Sequence, residues 1–237
     1  MSWFTRWLRR APRLETEYAA RIDAYRAVAA DDANCGLDTQ RLVVVDVETS
    51  GLSPHTDQLI AIGAVAVCGG AVRFEDSFYA LVRQARPSPT ENILVHGIDG
   101  TTQTSAPDPA DALSEFLTYA QKAPLIGFHA DFDRVFIVRA MQAALGMAPE
   151  NDWLDLADLA PALYPERAEQ ALTLDDWTAA FGIENYARHD ALADALATAQ
   201  LLQVLLARAS QAKIVRFAAL AARANEHRWL ARSLKPF

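Results

Sequence analysis

Two acidic residues follow a run of valines in the first quarter of the chain. Residues 43–45 are all valine and lead into Asp46, and Glu48 stands two positions further on. Side chains two apart in a strand point to the same face, so both carboxylates are expected to project together from the strand end. Neighbouring carboxylates repel each other unless a cation lies between them or one is protonated. Because carboxylate oxygens suit Mg²⁺ and Mn²⁺, the pair predicts part of a metal site.

Further acids occur at two other predicted element ends. Asp131 and Asp133 follow a short apolar strand and stand at the head of a helix. His189 precedes a long helix, with Asp190 fitting its cap and Asp194 about a turn later. Acids in a first helical turn are often simple caps, and a lone histidine there is usually structural. Beside other strand-end acids, however, such a histidine is a candidate for proton transfer.

Four short segments carry a resemblance to a known family. They read DVETSGL from Asp46, VHGI from Val95, FHADFD from Phe128 and HDALAD from His189. Their order and rough spacing are similar to those of the DEDDh 3′–5′ exonuclease superfamily, which includes the proofreading epsilon subunit of bacterial DNA polymerase III. The match covers residues 41–207. It implies an RNase H-like α/β fold, with a mixed five-stranded sheet of three antiparallel and then parallel strands, and helices on both faces.

The resemblance assigns roles to individual residues. The four metal-binding acids correspond to Asp46, Glu48, Asp133 and Asp194, and His189 resembles the general base. Four carboxylates carry enough charge for two Mg²⁺ or Mn²⁺ ions, which in such sites activate a water and stabilise the departing 3′ oxygen. A free histidine titrates near neutrality and can take the proton of that water. The implied activity releases nucleoside 5′-monophosphates from the 3′ ends of single-stranded DNA.

Other motif positions resemble the part of the family that holds the terminal nucleotide. These positions are Thr49, Ser50, Gly51, Leu52, His96 and His129. Leu52 is expected against the terminal base and His96 on the substrate side, and a purely structural role stays open for both. Phe128 and His129 stand where many members have His-Asn, so the hydrogen bond of the usual asparagine is not expected. Asp131 falls at a variable position of the motif and ranks below Asp133.

Hydrophobic spacing and turn residues predict the elements that carry these positions. Strands are expected at residues 41–49, 58–68, 71–82 and 124–129, with Gly69-Gly70 as a hairpin turn between the second and third. Helices are expected at residues 1–30, 108–121, 133–146, 173–183 and 190–209. Residues 153–160 fit a strand followed by a turn, or the start of a helix, and we favour the strand and turn.

Composition limits the class of protein. A chain of 237 residues with 51% hydrophobic content can build one sizeable core. The net charge of −8 argues against broad electrostatic binding to nucleic acid, although both ends of the sequence are rich in basic residues, as solvated helix faces or as arms for a partner. No secretory signal and no apolar run of the ~18–20 residues that span a membrane is evident. With only two isolated cysteines, a cytoplasmic setting is expected.

The domain prediction has three parts. Residues 1–38 are expected to form a helical extension and linker, residues 39–210 the exonuclease domain, and residues 211–237 a basic C-terminal helix or tail. The tryptophans and arginines near the N-terminus could touch a membrane surface or a partner, but packing on the nuclease domain is favoured.

The sequence is compatible with several alternatives. The motifs do not separate DNA from RNA, so an exoribonuclease of the same fold is one alternative. A phosphatase built on a D-x-D strand is another, and a non-catalytic nucleic-acid or partner-binding module is a third. A polymerase or a sliding clamp is a possible partner. The segment EQALTLDDW at residues 169–177 loosely resembles a clamp-binding peptide, but it fits an ordinary capped helix start better.

Overall fold

The computed structural model describes residues 16–29 and 35–233. The expectations for the tryptophan- and arginine-containing segment at residues 1–15 and for the last four residues lie outside the described residues. Within the described part, the expected N-terminal helix is α1 (Thr16–Ala27).

Five strands form one mixed sheet in the order β3-β2-β1-β4-β5. The strands are β1 (Arg41–Thr49), β2 (Leu59–Cys68), β3 (Ala71–Leu81), β4 (Leu125–Gly127) and β5 (Trp153–Asp155). The first three pair antiparallel, and β4 and β5 add to β1 in parallel. Gly69 and Gly70 form the β2–β3 hairpin turn with φ of 59° and 74°. The predicted α/β class, the antiparallel meander and the mixed sheet are therefore confirmed.

Helices cover both faces of this sheet. After α1 they are α2 (Thr90–His96), α3 (Gly100–Ser105), α4 (Pro109–Ala120), α5 (Ala130–Leu145), α6 (Leu156–Leu163), α7 (Leu174–Ala180), α8 (Ala191–Gln211) and α9 (Phe217–Ser233). A short 3-10 turn, Pro165–Arg167, joins α6 to α7. The predicted helices α4, α5, α7 and α8 are all present, and each begins or ends within a few residues of its predicted bounds.

The central strand β1 divides its side chains between two hydrophobic clusters. Val43, Val45 and Val47 belong to the cluster that includes α1, α4 and α5. Leu42 and Val44 belong to the cluster that includes α6, α7, α8 and α9. Because side chains alternate along a strand, Asp46 and Glu48 continue the row of Leu42 and Val44. The two acids therefore project toward the side of the sheet that α8 covers.

The region after β4 differs from the prediction. Residues 153–160 were expected to form a strand and a turn, but only Trp153–Asp155 is a strand and α6 follows at once. The Asp155 carboxylate accepts the backbone N–H of Ala157, which caps the helix. Leu156 and Leu159 are fully buried, so one apolar face of α6 packs into the fold. Burial of that face and the cap favour a helix over a turn.

Helix α8 is long and mostly apolar. It contains an 18-residue window with a mean hydropathy of 1.2, which in length and composition would suit a membrane span. Inside the fold, however, 56% of that window is buried, and α8 packs against β1 and β2. Its apolar character is accounted for by its place as the central helix of one core.

Candidate active site

Three carboxylates converge at the end of β1. Asp46 and Glu48 meet Asp194, which lies in the first turn of α8. Ligand oxygens of the three residues all lie within 4.8 Å of one another. Glu48 and Asp194 are buried, and Asp46 is partly buried. The structure thus brings together three of the four acids that the sequence assigned to a metal site.

A glycine in β2 allows α8 to approach so closely. Gly63 pairs with Asp46 across the β1–β2 ladder. A Cβ atom at this glycine would lie 2.2 Å from the carbonyl carbon of Ala191, at the first turn of α8. The Asp190 side chain caps the helix by accepting the N–H groups of Leu192 and Ala193. Direct backbone contact at Gly63 therefore sets how near Asp194 comes to the β1 acids.

The fourth acid comes from α5, the helix that follows the parallel strand β4. Asp133 lies in the first turn of α5 and is 5% exposed. The backbone amide of Val47, the residue between Asp46 and Glu48, partly opposes the rise in the pKa of Asp133. Strand β4 pairs only with Val43 and Val44, so it ends before it would cover this part of β1. Asp133 thus lies beside the same strand end.

Asp131 is placed differently from Asp133, although only one residue separates them. Its side chain is 63% exposed and lies 3.3 Å from Arg228 of α9. Arg228 also contacts Asp155 at 3.3 Å and forms an ion pair with Asp158. Asp131 therefore belongs to the contact between α5 and α9, away from the converging carboxylates.

The converging acids strongly disfavour full ionisation. Burial, followed by the charges of Asp133 and Asp194, raises the pKa of Asp46 well above its usual range. Burial and the charge of Asp194 raise the pKa of Glu48 to about 8. Burial also raises the pKa of Asp133 well above its usual range. Carboxylates in such a site are therefore stabilised by binding protons or cations.

Asp194 is held by three donors from the loop that precedes α8. The Asn185 side chain donates to Oδ1. The backbone N–H of His189 donates to Oδ2 at 3.0 Å, and Nη1 of Arg188 lies 2.6 Å from the same oxygen. Arg188 also reaches Asp175 of α7, with Nε 2.8 Å from Oδ1. Sequence reasoning missed Asn185 and Arg188, because no motif or spacing indicates where their side chains point.

His189 adopts an unusual backbone conformation for a residue with a side chain. Its φ is 63°, and the residue is exposed. Positive φ is uncommon outside glycine, and histidine is among the residues that tolerate it. The conformation turns the backbone N–H toward Asp194, and the residue as a whole is exposed to solvent. Such a position is accessible to an incoming substrate.

The residues after β1 form a tight loop beside the acids. The Thr49 hydroxyl donates to the carbonyl of Gly51 at 2.7 Å. The Ser50 hydroxyl accepts the backbone N–H of Gln58 at 2.9 Å. Leu52, at the tip, is 84% exposed. The loop thereby presents an apolar side chain to solvent, and its role against a base stays a prediction.

The two remaining histidines of the sequence prediction have different surroundings. His96 is 7% exposed, its Nδ1 accepts the N–H of Ile98 at 3.0 Å, and Nε2 lies 3.4 Å from the Ser88 hydroxyl. These contacts fit a structural role at the end of α2, and its substrate role stays a prediction. His129 is exposed, has a φ of 61°, and donates its backbone N–H to Asp155 at 2.9 Å.

Comparison with solved structures supports the fold. Escherichia coli exonuclease I in complex with a dT13 oligonucleotide superposes with a TM-score of 0.63 and 21% identity, over 73% of this chain and 42% of that one. Exonuclease X in complex with 5′ overhanging duplex DNA gives a TM-score of 0.61 and 20% identity, over 77% of this chain and 99% of that one. The predicted RNase H-like fold is confirmed.

Relatives found by sequence are more similar to this chain than the solved structures are. The DNA polymerase III subunit epsilon-like protein of Rhodobacter capsulatus is 32% identical over 205 residues, which cover 85% of this chain and 29% of that protein. The PolC-type DNA polymerase III of Bacillus subtilis is 32% identical over 191 residues, covering 80% of this chain and 13% of that protein. The chain therefore spans less than a third of the length of these relatives.

An RNase H-like sheet with acids at the end of its central strand defines a class of nuclease-like proteins. Within that class, a model of the exonuclease family, of the RNase T type, matches residues 43–202. The chain belongs to this exonuclease family. The resemblance to DEDDh exonucleases and to the epsilon subunit, first indicated by four short motifs, is confirmed.

Proposed function

We propose that this chain is a metal-dependent 3′–5′ exonuclease that releases nucleoside 5′-monophosphates from single-stranded DNA ends. The observation that carries the proposal is the meeting of Asp46, Glu48 and Asp194, with ligand oxygens within 4.8 Å of one another, at the end of β1. Asp133 adds a fourth carboxylate beside the same strand. Family membership supports the reaction class.

The donor set fits hard divalent cations. All four groups are carboxylates, which Mg²⁺ and Mn²⁺ prefer. Burial raises the pKa of Asp46, Glu48 and Asp133, and the charges of neighbouring site acids add to the rise at Asp46 and Glu48. Asp46, Glu48, Asp133 and Asp194 would hold two such ions. When bound, two dications lower the pKa of a water and stabilise the charge on a departing 3′ oxygen.

The remaining residues of the site would act on the substrate directly. His189, exposed beside Asp194, would accept the proton of the attacking water. Thr49, Ser50 and Gly51 would surround the terminal nucleotide, and the exposed Leu52 would pack against its base. His129 would line the same edge from the head of α5.

Substrate and partner proposals draw on the relatives. The exonuclease I structure contains a dT13 oligonucleotide, which supports single-stranded DNA as the substrate. The epsilon-like and PolC-type relatives support a polymerase as partner. A clamp contact through residues 169–177 gains no support, because Leu174 and Trp177 are buried and Thr173 forms a capping box with Asp176. The free thiols of Cys35 and Cys68 agree with the predicted cytoplasmic setting.

The test is digestion of 5′-labelled single-stranded DNA, and of RNA of the same sequence, with Mg²⁺, Mn²⁺ or EDTA. We expect a ladder that shortens from the 3′ end, requires metal, and is faster on DNA. Asp133→Asn should abolish it, whereas Asp131→Asn, the matched change two positions away, should leave most activity. Faster digestion of RNA would move the assignment to an exoribonuclease. No shortening of either polymer by folded protein would favour a binding module.

A histidine variant tests the proton acceptor separately. We expect His189→Asn to lower kcat by about 10²–10⁴-fold, the usual contribution of general base catalysis. Asparagine tolerates positive φ, so the backbone N–H to Asp194 is retained and Mn²⁺ binding should stay close to that of the unmodified protein. Near-normal kcat in this variant would remove His189 from the mechanism and leave the metal site in place.

A further inference from the structure

Arg188 brings a positive charge directly to the acidic cluster. Its Nη1 lies 2.6 Å from Oδ2 of Asp194, whose side chain is only 5% exposed. Its Nε lies 2.8 Å from Asp175, whose side chain is 60% exposed at the start of α7. The arginine side chain itself is 36% exposed, so it spans from solvent to the buried carboxylate. Among the described residues, it is the cation whose ion pair involves one of the four converging acids.

The charge of Arg188 affects carboxylates other than its direct partner Asp194. Burial and acidic neighbours raise the pKa of Asp46 and of Glu48, and Arg188 opposes the rise at both residues. A guanidinium in this position therefore offsets part of the repulsion among the carboxylates. A divalent cation in the same cluster would provide the same compensation more strongly, because it carries twice the charge.

Both oxygens of Asp194 are already engaged by donors. Asn185 occupies Oδ1, while the His189 N–H and Arg188 share Oδ2. Asn185 and the peptide N–H are neutral, so they can stay while a cation binds a remaining lone pair. Arg188 is charged, and a metal ion on Asp194 would repel it at short range. Metal binding and the Arg188–Asp194 ion pair are therefore in competition.

We propose that Arg188 is a counter-ion that divalent metal must displace from Asp194, so that it sets the metal concentration at which the site fills. The inference rests on the proposed function, because it assumes that Asp194 is a metal ligand. Asp175 provides the alternative position: after displacement, the guanidinium keeps this second partner at the edge of the site. Arg188 is thus a positioning residue that tunes the metal site and does not take part in bond cleavage.

The direct test is Mn²⁺ binding by the full chain without nucleic acid, measured by calorimetry or by electron paramagnetic resonance. We expect Arg188→Gln to bind Mn²⁺ about tenfold more tightly, since a competing charge is removed. Arg188→Lys, which keeps a charge, should stay near the unmodified value. Arg73→Gln is the matched control, because Arg73 is an exposed residue of β3 at the far end of the sheet. Equal or weaker binding by Arg188→Gln would overturn the proposal.

A second variant makes the test independent of general effects on the loop. Asp175→Asn leaves Arg188 with Asp194 as its remaining partner, so we expect weaker Mn²⁺ binding. The effect should largely disappear in the Arg188→Gln background, and an equal effect in both backgrounds would overturn the proposal. Absence of Mn²⁺ binding in the unmodified protein and in Arg188→Gln would instead remove the metal site and the proposed function with it.

Discussion

Glu48 is a much weaker acid in this fold than in an unfolded chain. Burial and the charges of Asp194 and Asp190 raise its pKa from 4.5 to about 8. Between these two values the folded protein keeps a proton that the unfolded chain has released. Raising the pH across this interval therefore favours the unfolded chain, since stability falls wherever the folded state binds more protons. Asp46 and Asp133 shift in the same direction.

In EDTA, we predict that the melting temperature falls as the pH is raised from about 5 to 8. Glu48→Gln should flatten this dependence, because the amide does not titrate. Differential scanning calorimetry of both proteins across the pH range measures the effect. A slope that is the same in the variant and in the unmodified protein would show that Glu48 is not the group responsible.

At the residue scale, the sequence indicates the site acids but not their neighbours. The two-residue alternation of β1 is local, and it predicts correctly that Asp46 and Glu48 share a face. The position of Arg188 depends on the loop between α7 and α8 and on the positive φ of His189. Neither follows from residue spacing, so the ion pair with Asp194 could not be predicted.

At the scale of elements, the contact between α8 and β2 decides whether the acids meet. Gly63 has the first turn of α8 directly against it, while a glycine at the hairpin turn, Gly70, has open space around it. The absence of a side chain therefore serves a different structural role at each glycine. One permits a close approach of backbones, and the other supplies a positive φ of 74°.

Gly63→Ala should push the start of α8 away from β2. We expect a loss of stability of about 1–3 kcal/mol, as for other overpacked cores, together with weaker Mn²⁺ binding because Asp194 moves with the helix. Gly70→Asn, which keeps a residue tolerant of positive φ in open space, is the control and should change neither property much. Chemical unfolding and calorimetry with Mn²⁺ measure both. Unchanged metal affinity in Gly63→Ala would contradict this account of the site.

The elements that the sequence failed to predict are short. Helices α2 and α3 span only Thr90–His96 and Gly100–Ser105, and too few turns are present for a clear apolar period. Asp99 does cap α3 by accepting two backbone N–H groups, but a cap alone also fits a turn. In α6, Pro161 lies inside the helix, where sequence rules place a helix end. Long, periodic segments such as α8 were predicted almost to their ends.

At the scale of the whole molecule, α1 and α9 lie outside the segment that matches the exonuclease family but pack closely on it. Tyr25 of α1 is 3% exposed, donates its hydroxyl to Asn151 at 2.9 Å and accepts the N–H of Glu150 at 2.7 Å. In α9, Arg228 joins three aspartates of the α5–α6 region. We expect both helices to unfold together with the nuclease fold.

Tyr25→Phe tests this expectation. Loss of the hydroxyl removes the donor to the buried Asn151 Oδ1 and the acceptor of the Glu150 N–H, so we expect destabilisation by about 1–3 kcal/mol. Unfolding should remain a single transition at a lower temperature when followed by circular dichroism. Tyr186→Phe, at a residue that is 88% exposed, is the matched control. An unchanged melting temperature in Tyr25→Phe would mean that α1 is not part of the cooperative unit.

The two thiols of the chain lie at the opposite end of the sheet from the acids. Cys68 ends β2 and pairs with Arg41, the first residue of β1, whereas Asp46 and Glu48 are near its last. Cys35 contacts Thr39, just before the same strand begins. Both thiols are free and partly exposed. A maleimide dye or a surface tether attached there would leave the edge with the acids open, so single molecules of the unmutated chain could be immobilised to test the proposed digestion.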